Sequence, residues 1–215
     1  MNGVIHYKDW QASYIPQILE EIWIRQVYAP YLHNRKDLTI LDLGLNIGLF
    51  SMYATQFAKQ IYAFEPAKET IDLARKNIDE NEIKNVKLFQ EAISIEDGEM
   101  PFYHSTNTTA NSLSEALNQK PELKEMVKTT RLDTFVKKEG ITKIDFAKID
   151  IEGEEGKVIG SKSFENIVPI LDAFVMEWHS WAGMNVQQIV TTIRDYGYNV
   201  EVIPAEATIL GCVKR

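Results

Sequence analysis

Apolar positions along the chain follow two alternating rhythms. Leu38-Thr39-Ile40-Leu41-Asp42-Leu43 is a near-continuous apolar run that ends at Gly44. That is the pattern of a strand buried on both faces. Leu49 to Ala58 then predicts a helix, Gln60 to Glu65 a strand, and Ala67 to Glu80 a helix with Ile71, Ala74 and Ile78 on one face. Val86 to Phe89 is again a strand. Strands alternating with helices predict parallel βαβ units in a doubly wound α/β sheet.

The second half is less regular. Residues 98–104 read as a short strand, and Ser105 to Ser114 as a loop rich in Ser, Thr and Asn, followed by a helix broken near Pro121. Lys143 to Ile151 and Ile170 to Trp178 predict strands, and Val186 to Tyr196 a helix with Ile189, Val190 and Ile193 inward. Tyr198 to Ile203 and Thr208 to Val213 predict two strands around Pro204. So short a connection forces an antiparallel hairpin, because a parallel pair needs a crossover of about a dozen residues or more. At the other end, Ile15, Ile18, Leu19, Ile22, Val27 and Tyr28 form a helical stripe within Ile15 to Leu32, with Pro16 suited to a first turn. Asn34 to Asp37 is a polar linker. The chain thus divides into an N-terminal helical cap, 1–37, and a domain, 38–215.

Composition narrows the class. The 215 residues are 45% apolar and 25% charged, values of an ordered globular chain. Acidic residues outnumber basic ones, 31 to 23, for a net charge of −8. That balance disfavours extended contact with nucleic acid or anionic membranes. No apolar run approaches the roughly 20 residues of a membrane span. MNGVIHYKDW lacks a basic segment followed by an apolar one, so a cytoplasmic location is expected. The single cysteine, Cys212, excludes an internal disulfide framework and a cysteine-based zinc site, and it reads as a small buried hydrophobe. Oligomeric state is not legible.

The chemistry begins at Asp42-Leu43-Gly44-Leu45-Asn46-Ile47-Gly48, where a strand runs through glycines into a helix and the backbone can approach a ligand closely. Glu65, 23 residues after Asp42 and at the end of the next strand, can accept both hydroxyls of a ribose. The dinucleotide fingerprint G-x-G-x-x-G fails, because Asn46 and Leu49 stand at two of its three glycine positions, and no Walker lysine is present. S-adenosylmethionine (SAM) carries no phosphate and does not need that loop. Its ammonium favours a nearby carboxylate, which Asp42 or Asp150 could supply.

Longer stretches resemble one family. Asp42 to Ser51 is similar to the L-D-x-G-x-N-x-G-x-F-S opening of the FkbM family of class I SAM-dependent methyltransferases. Ala63-Phe64-Glu65-Pro66, Glu91-Ala92-Ile93-Ser94, Thr130 to Phe135 and Lys148 to Glu155 resemble its later motifs, in family order. The segment Asn107 to Leu113 matches only loosely, and the N-terminal helix matches no motif. The resemblance implies a Rossmann-like, seven-stranded, mostly parallel sheet with strand seven antiparallel, which agrees with the terminal hairpin. It implies SAM as methyl donor and O-methylation of a small metabolite, sugar or polyketide hydroxyl. By that resemblance Asp42, Gly44, Asn46 and Gly48 line the methionine part of SAM. Glu65 holds the ribose beside Pro66, Glu91 and Ala92 lie at the adenine, and Asp150 lies near the transferred methyl.

A hydroxyl acceptor must lose a proton, and a general base contributes about 10²- to 10⁴-fold. Asp150, Glu152, Glu177 and His179 stand at strand ends; Asp150, His179 and Glu177 are the catalytic candidates. Trp178 and Trp181 flank His179 and could line an acceptor pocket. Asp150, Glu152 and Glu177 could alternatively gather Mg²⁺, although Glu152 beside Gly153 also suits a plain helix start. An RNA methyltransferase with the same core and a non-catalytic SAM-binding module are the competing functions. The net acidity counts against the first, and the retained Asp150 and His179 against the second.

Overall fold

The computed structural model describes residues 3–8, 14–103, 124–179, 185–203 and 209–215. Seven strands make the main sheet: β1 (Leu38–Leu43), β2 (Ala58–Phe64), β3 (Val86–Phe89), β7 (Phe146–Ile149), β8 (Ala173–Glu177), β9 (Tyr198–Val202) and β10 (Ile209–Lys214). Their order is β3-β2-β1-β7-β8-β10-β9. The first five are mutually parallel, whereas β10 runs antiparallel to both β8 and β9. This is the mostly parallel seven-stranded sheet that the resemblance implies, closed by the antiparallel hairpin expected from the short 203–208 connection.

Alternation along each strand feeds two cores. Ile40, Phe146 and Val175 point to one face, where Phe50, Ile71, Tyr28 and Leu32 join them. Leu41, Leu43, Phe174 and Met176 point to the other, with Phe64, Phe135, Ile189 and Tyr198. Burial on both faces explains why β1, β7 and β8 read as continuous apolar runs. Cys212 is buried in the second core, as a small hydrophobe would be.

Four local expectations shift. The N-terminal stripe is three pieces, not one helix: α1 (Ile15–Leu19), a π-helical turn (Glu20–Ile24) and α2 (Ala29–Leu32). Gln26 adopts a left-handed φ of 52°, and Pro30 cannot donate into a continuing helix. The helix after the glycine loop, α3 (Leu49–Ala54), stops early. There the Asn85 side-chain amide donates to the carbonyls of Thr55 (3.0 Å) and Ala58 (2.7 Å), satisfying the helix end and launching β2. A second sheet of β4 (Ala92–Ile93), β5 (Gly98–Tyr103) and β6 (Lys124–Thr130), in order β4-β6-β5, was not anticipated. Lys124 to Lys128 belongs to a strand of that sheet; the helix expected after Ser114, the Asn107 segment and Trp181 lie outside the described residues. Finally, α4 (Lys68–Glu80) and α8 (Val186–Asp195) match expectation, but α5 (Leu132–Glu139), α6 (Glu155–Ile159) and α7 (Lys162–Ile167) carried too short a periodicity to be placed.

The N-terminal pieces pack on the first core. Tyr28 meets Phe50 at 4.7 Å between ring centroids, and Tyr31 meets Phe146 at 5.6 Å. Tyr31 reaches the sheet over Gly211: a Cβ there would lie 1.9 Å from the Tyr31 hydroxyl, which donates to Glu201 at 2.9 Å.

Candidate active site

The residues expected at the methionine part, the ribose and the reacting centre stand at the carboxyl ends of β1, β2, β7 and β8; Glu91 and Ala92 follow β3 instead. Asp42 is wholly buried next to the end of β1. Its Oδ2 accepts from the Ser51 hydroxyl at 2.6 Å, while Oδ1 makes no hydrogen bond and lies 4.0 Å from the Lys148 ammonium. Burial pushes this carboxyl up to about 6, against the pull of Lys148 and Ser51. Gly44 and Gly48 both need positive φ, 87° and 90°. A Cβ on Gly44 would fall 1.7 Å from the Asp150 carbonyl oxygen, so only glycine lets the loop pass the end of β7. Gly48 starts α3, and Asn46 (φ 53°) turns the chain between them.

Glu65 holds that loop from below. Its Oε2 accepts from the Asn46 N–H at 3.1 Å and its Oε1 from the Ala67 N–H at 3.0 Å. Burial raises its carboxyl to about 7, and the two backbone donors oppose the rise. Pro66, half-buried, fixes the turn between β2 and α4.

Lys148 is the residue that sequence reading passed over. It shares one side of β7 with Asp150, two positions on, and its ammonium donates to Gly44 O (2.9 Å) and Asp150 Oδ2 (3.0 Å). Burial works against its charge, but Asp150 and Asp42 outweigh burial and hold the ammonium above its usual range. A lysine inside an otherwise apolar buried strand was the available signal.

The loop after β7 is built around Glu155. This fully buried carboxylate accepts from the N–H groups of Ile151 (3.0 Å) and Gly153 (3.0 and 3.2 Å). The same carboxylate lies 3.0 Å from His179 Nδ1. Burial opposes charge on His179, but the Glu155 hydrogen bond and the surrounding carboxylates outweigh it and raise its pKa to about 9. His179 Nε2 lies 3.5 Å from Glu152 and 3.9 Å from Glu177. Burial first, then Asp150, pushes the Glu152 carboxyl well above the carboxylate range; Asp150 first, then burial, raises Glu177.

A cavity of about 130 Å³ opens over these groups. The loop (Leu45 to Ile47, Leu49, Phe50) and Lys148, Asp150, Glu152 and Glu177 form one wall; Tyr14, Ile18, Glu21, Ile22 and Tyr28 of the N-terminal segment form the other. Tyr28 donates to Glu21 at 3.0 Å. Neither tyrosine nor Glu21 carried a motif, so their place was illegible. Glu91 and Ala92 do not line this cavity: Glu91 pairs with Lys128 of β6, and Ala92 is buried in β4.

The site fits a cationic, phosphate-free ligand. Asp42 Oδ1 and Asp150 Oδ1 are buried without hydrogen-bond partners, which suits a positively charged group. For a metal, Asp150, Glu155 and His179 bring one ligand atom each within 4.8 Å of one another, but Glu155 is already saturated by backbone donors and His179.

Comparison with known proteins gives the same direction. Residues 42–200 match the family model described as the methyltransferase FkbM domain. The chain is 27% identical to methyltransferase sdnD of Sordaria araneosa, covering 86% of this chain and 85% of that protein. It is 26% identical to the 31-O-demethyl-FK506 methyltransferase FkbM of Streptomyces tacrolimicus, covering 92% and 85%. Among solved structures, magnesium protoporphyrin IX methyltransferase of Synechocystis PCC 6803, with bound SAM, superposes at a TM-score of 0.55 over 99% of this chain and 87% of that one. At 10% identity that likeness concerns the fold.

Proposed function

The chain belongs to the FkbM family of SAM-dependent methyltransferases, and on that premise we propose that it O-methylates a hydroxyl of a small metabolite such as a sugar or polyketide. The observation that carries this reading is the single cavity shared by the glycine loop and three carboxylates, Asp150, Glu152 and Glu177. Its size suits part of a small acceptor. The two family relatives named above, one of them a 31-O-demethyl-FK506 methyltransferase, support the same class. The cap, 1–37, would supply one wall of this cavity and the catalytic domain, 38–215, the other. The proposed place of action is the cytoplasm.

When bound, SAM supplies a methyl group on a sulfonium. Asp42, Gly44, Asn46 and Gly48 would hold its methionine part, Glu65 its ribose with Pro66 shaping the turn, and Glu91 and Ala92 would flank the adenine. Asp150 and Asp42 place negative charge beside the cation. In-line transfer needs the acceptor oxygen held on the far side, and alignment of this kind supplies several kcal/mol. Glu177 takes the acceptor proton: its carboxyl is raised toward neutrality, where a base works best. His179, kept as an imidazolium by Glu155, stabilises the carboxylate form of Glu177 before transfer. Cap residues Tyr14, Ile18 and Ile22 would exclude water. No step requires Mg²⁺.

Release of S-adenosylhomocysteine on incubation with hydroxylated sugars and alcohols tests the reading. Glu177→Gln should lower kcat about 10²- to 10⁴-fold while leaving cofactor affinity in place. Full activity in that variant would remove Glu177 as base. Cofactor binding without turnover on any acceptor would favour a non-catalytic module.

A further inference from the structure

The cofactor loop is tied to a segment that no motif marks, the extended residues 3–8. Asn77 on α4 is wholly buried. Its Oδ1 accepts from the His6 N–H at 2.6 Å, and its Nδ2 donates both to His6 O (3.1 Å) and to Ile47 O (2.9 Å) inside the glycine loop. One turn further along α4, Asn81 repeats the grip on Val4: Oδ1 accepts from Val4 N–H at 3.0 Å and Nδ2 donates to Val4 O at 2.7 Å. The spacing explains the fit. Four helical residues rise about 6 Å, and two extended residues advance about 6.6 Å, so amides at i and i+4 meet alternate backbone units of a strand. A Lys8–Glu69 ion pair and a His6–Glu80 hydrogen bond flank the clamp. The grip of Asn81 on Val4 is exposed, so the buried Asn77 amide carries the specificity.

The same helix also floors the loop from its other side: the space a Cβ would take on Gly48 lies 3.7 Å from Ala74 Cβ. Ile47 lines the cavity, and so does Tyr14, where the described chain resumes after the strap. Should the strap leave, Asn77 Oδ1 would lose its His6 donor and one Nδ2 proton its His6 acceptor. The amide would then be free to turn away from Ile47 O. Strap docking and loop geometry therefore share one side chain.

We propose that Asn77 is a positioning residue that couples docking of the 3–8 strap to the shape of the cofactor loop, so that the docked strap is part of the high-affinity cofactor site. This rests on the reading of that loop as the SAM site. Coupling is reciprocal: whatever factor the docked strap adds to cofactor affinity, cofactor must add to strap docking.

The test uses His6→Pro, which deletes the N–H that Asn77 accepts, against His6→Ala, which deletes only the imidazole. Both changes remove the His6–Glu80 contact on α4, so that loss cancels between them, and melting temperatures give the folding control. His6→Pro should bind S-adenosylhomocysteine about threefold to tenfold more weakly than His6→Ala, the range of one hydrogen bond. Asn81→Ala, which frees Val4, should weaken binding in the same direction. In the parent chain, S-adenosylhomocysteine should slow hydrogen exchange at the His6 amide by a comparable factor. Equal affinities for the two His6 variants, or an unmoved His6 amide in a parent chain that binds ligand, would overturn the coupling. A parent chain that bound no ligand would instead overturn the cofactor site beneath it.

Discussion

Adding one methyl group at Gly44 tests how the glycine loop is packed, and Gly48 provides the matched control. Both residues hold φ near 90°, so alanine at either position meets the left-handed penalty of about 1–2 kcal/mol. At Gly48 the new Cβ would sit 3.7 Å from Ala74 Cβ, an ordinary contact, and the backbone penalty is the whole cost. At Gly44 it would sit 1.7 Å from the Asp150 carbonyl oxygen, a backbone atom that cannot rotate aside. Relieving such a contact adds about 1–3 kcal/mol of overpacking, for a total of about 2–5 kcal/mol. In a domain of this size each kcal/mol moves Tm by about 2–4 °C. Gly48→Ala should therefore melt about 2–8 °C below the parent, and Gly44→Ala about 4–20 °C below it. The loop displacement would also stretch the bond from Lys148 to Gly44 O, now 2.9 Å, so Gly44→Ala should lose more cofactor affinity than Gly48→Ala. Paired thermal melts and urea titrations measure both. A Gly44→Ala chain as stable as Gly48→Ala would refute the close crossing of loop and β7.

Two further outcomes follow from burial. Folding raises the Asp42 carboxyl from an ordinary value near 4 to about 6, so it binds a proton more tightly folded than unfolded. Its contribution is full below about pH 4 and lost as pH rises through 6; at 1.36 kcal/mol per pKa unit, the unfolding free energy of the parent minus that of Asp42→Asn should fall by about 3 kcal/mol between pH 4 and pH 8, and a flat difference in urea titrations would contradict the shift. Gly211→Ala should cost about 1–3 kcal/mol because its Cβ would strike the Tyr31 hydroxyl, and Tyr31→Phe should restore part of that loss; absence of rescue in the double variant would place the damage elsewhere.

How much of this was readable beforehand depended on whether a residue's role was local. Periodicity located β1, β7 and β8 because both of their faces are buried, and β2 from its apolar second half, Ile61 to Phe64, and chain geometry alone made the last two strands a hairpin. The places of Gly44 and Asn46 were readable because a strand running into glycines permits close backbone approach, and those of Glu65 and Asp150 because they are carboxylates at strand ends. Glu155 lay inside a quoted motif, yet its work, gathering Ile151, Gly153 and His179, needs the fold to be seen. Tyr14, Ile18, Glu21 and Ile22 share one face of the segment that runs from Tyr14 through the π-helical turn to Ile24, and Tyr28 joins them after the left-handed turn at Gln26; which wall that face meets needs the fold to be seen. Of the β4-β6-β5 sheet only the β5 strand was expected, because β4 is two residues long and the Lys- and Thr-rich β6 lacks an apolar alternation.

Titration calorimetry with S-adenosylhomocysteine, on the parent and on Glu65→Ala, bears most directly on the assignment of the Asp42–Gly48 loop and Glu65 as the cofactor site. One ligand per chain and at least tenfold weaker binding in Glu65→Ala are expected, the loss when hydrogen bonds from ribose hydroxyls to a buried carboxylate disappear. Weaker binding is also expected as pH falls below about 7, where Glu65 takes up its proton. No heat of binding at millimolar ligand, or equal affinity in parent and variant, would contradict the assignment.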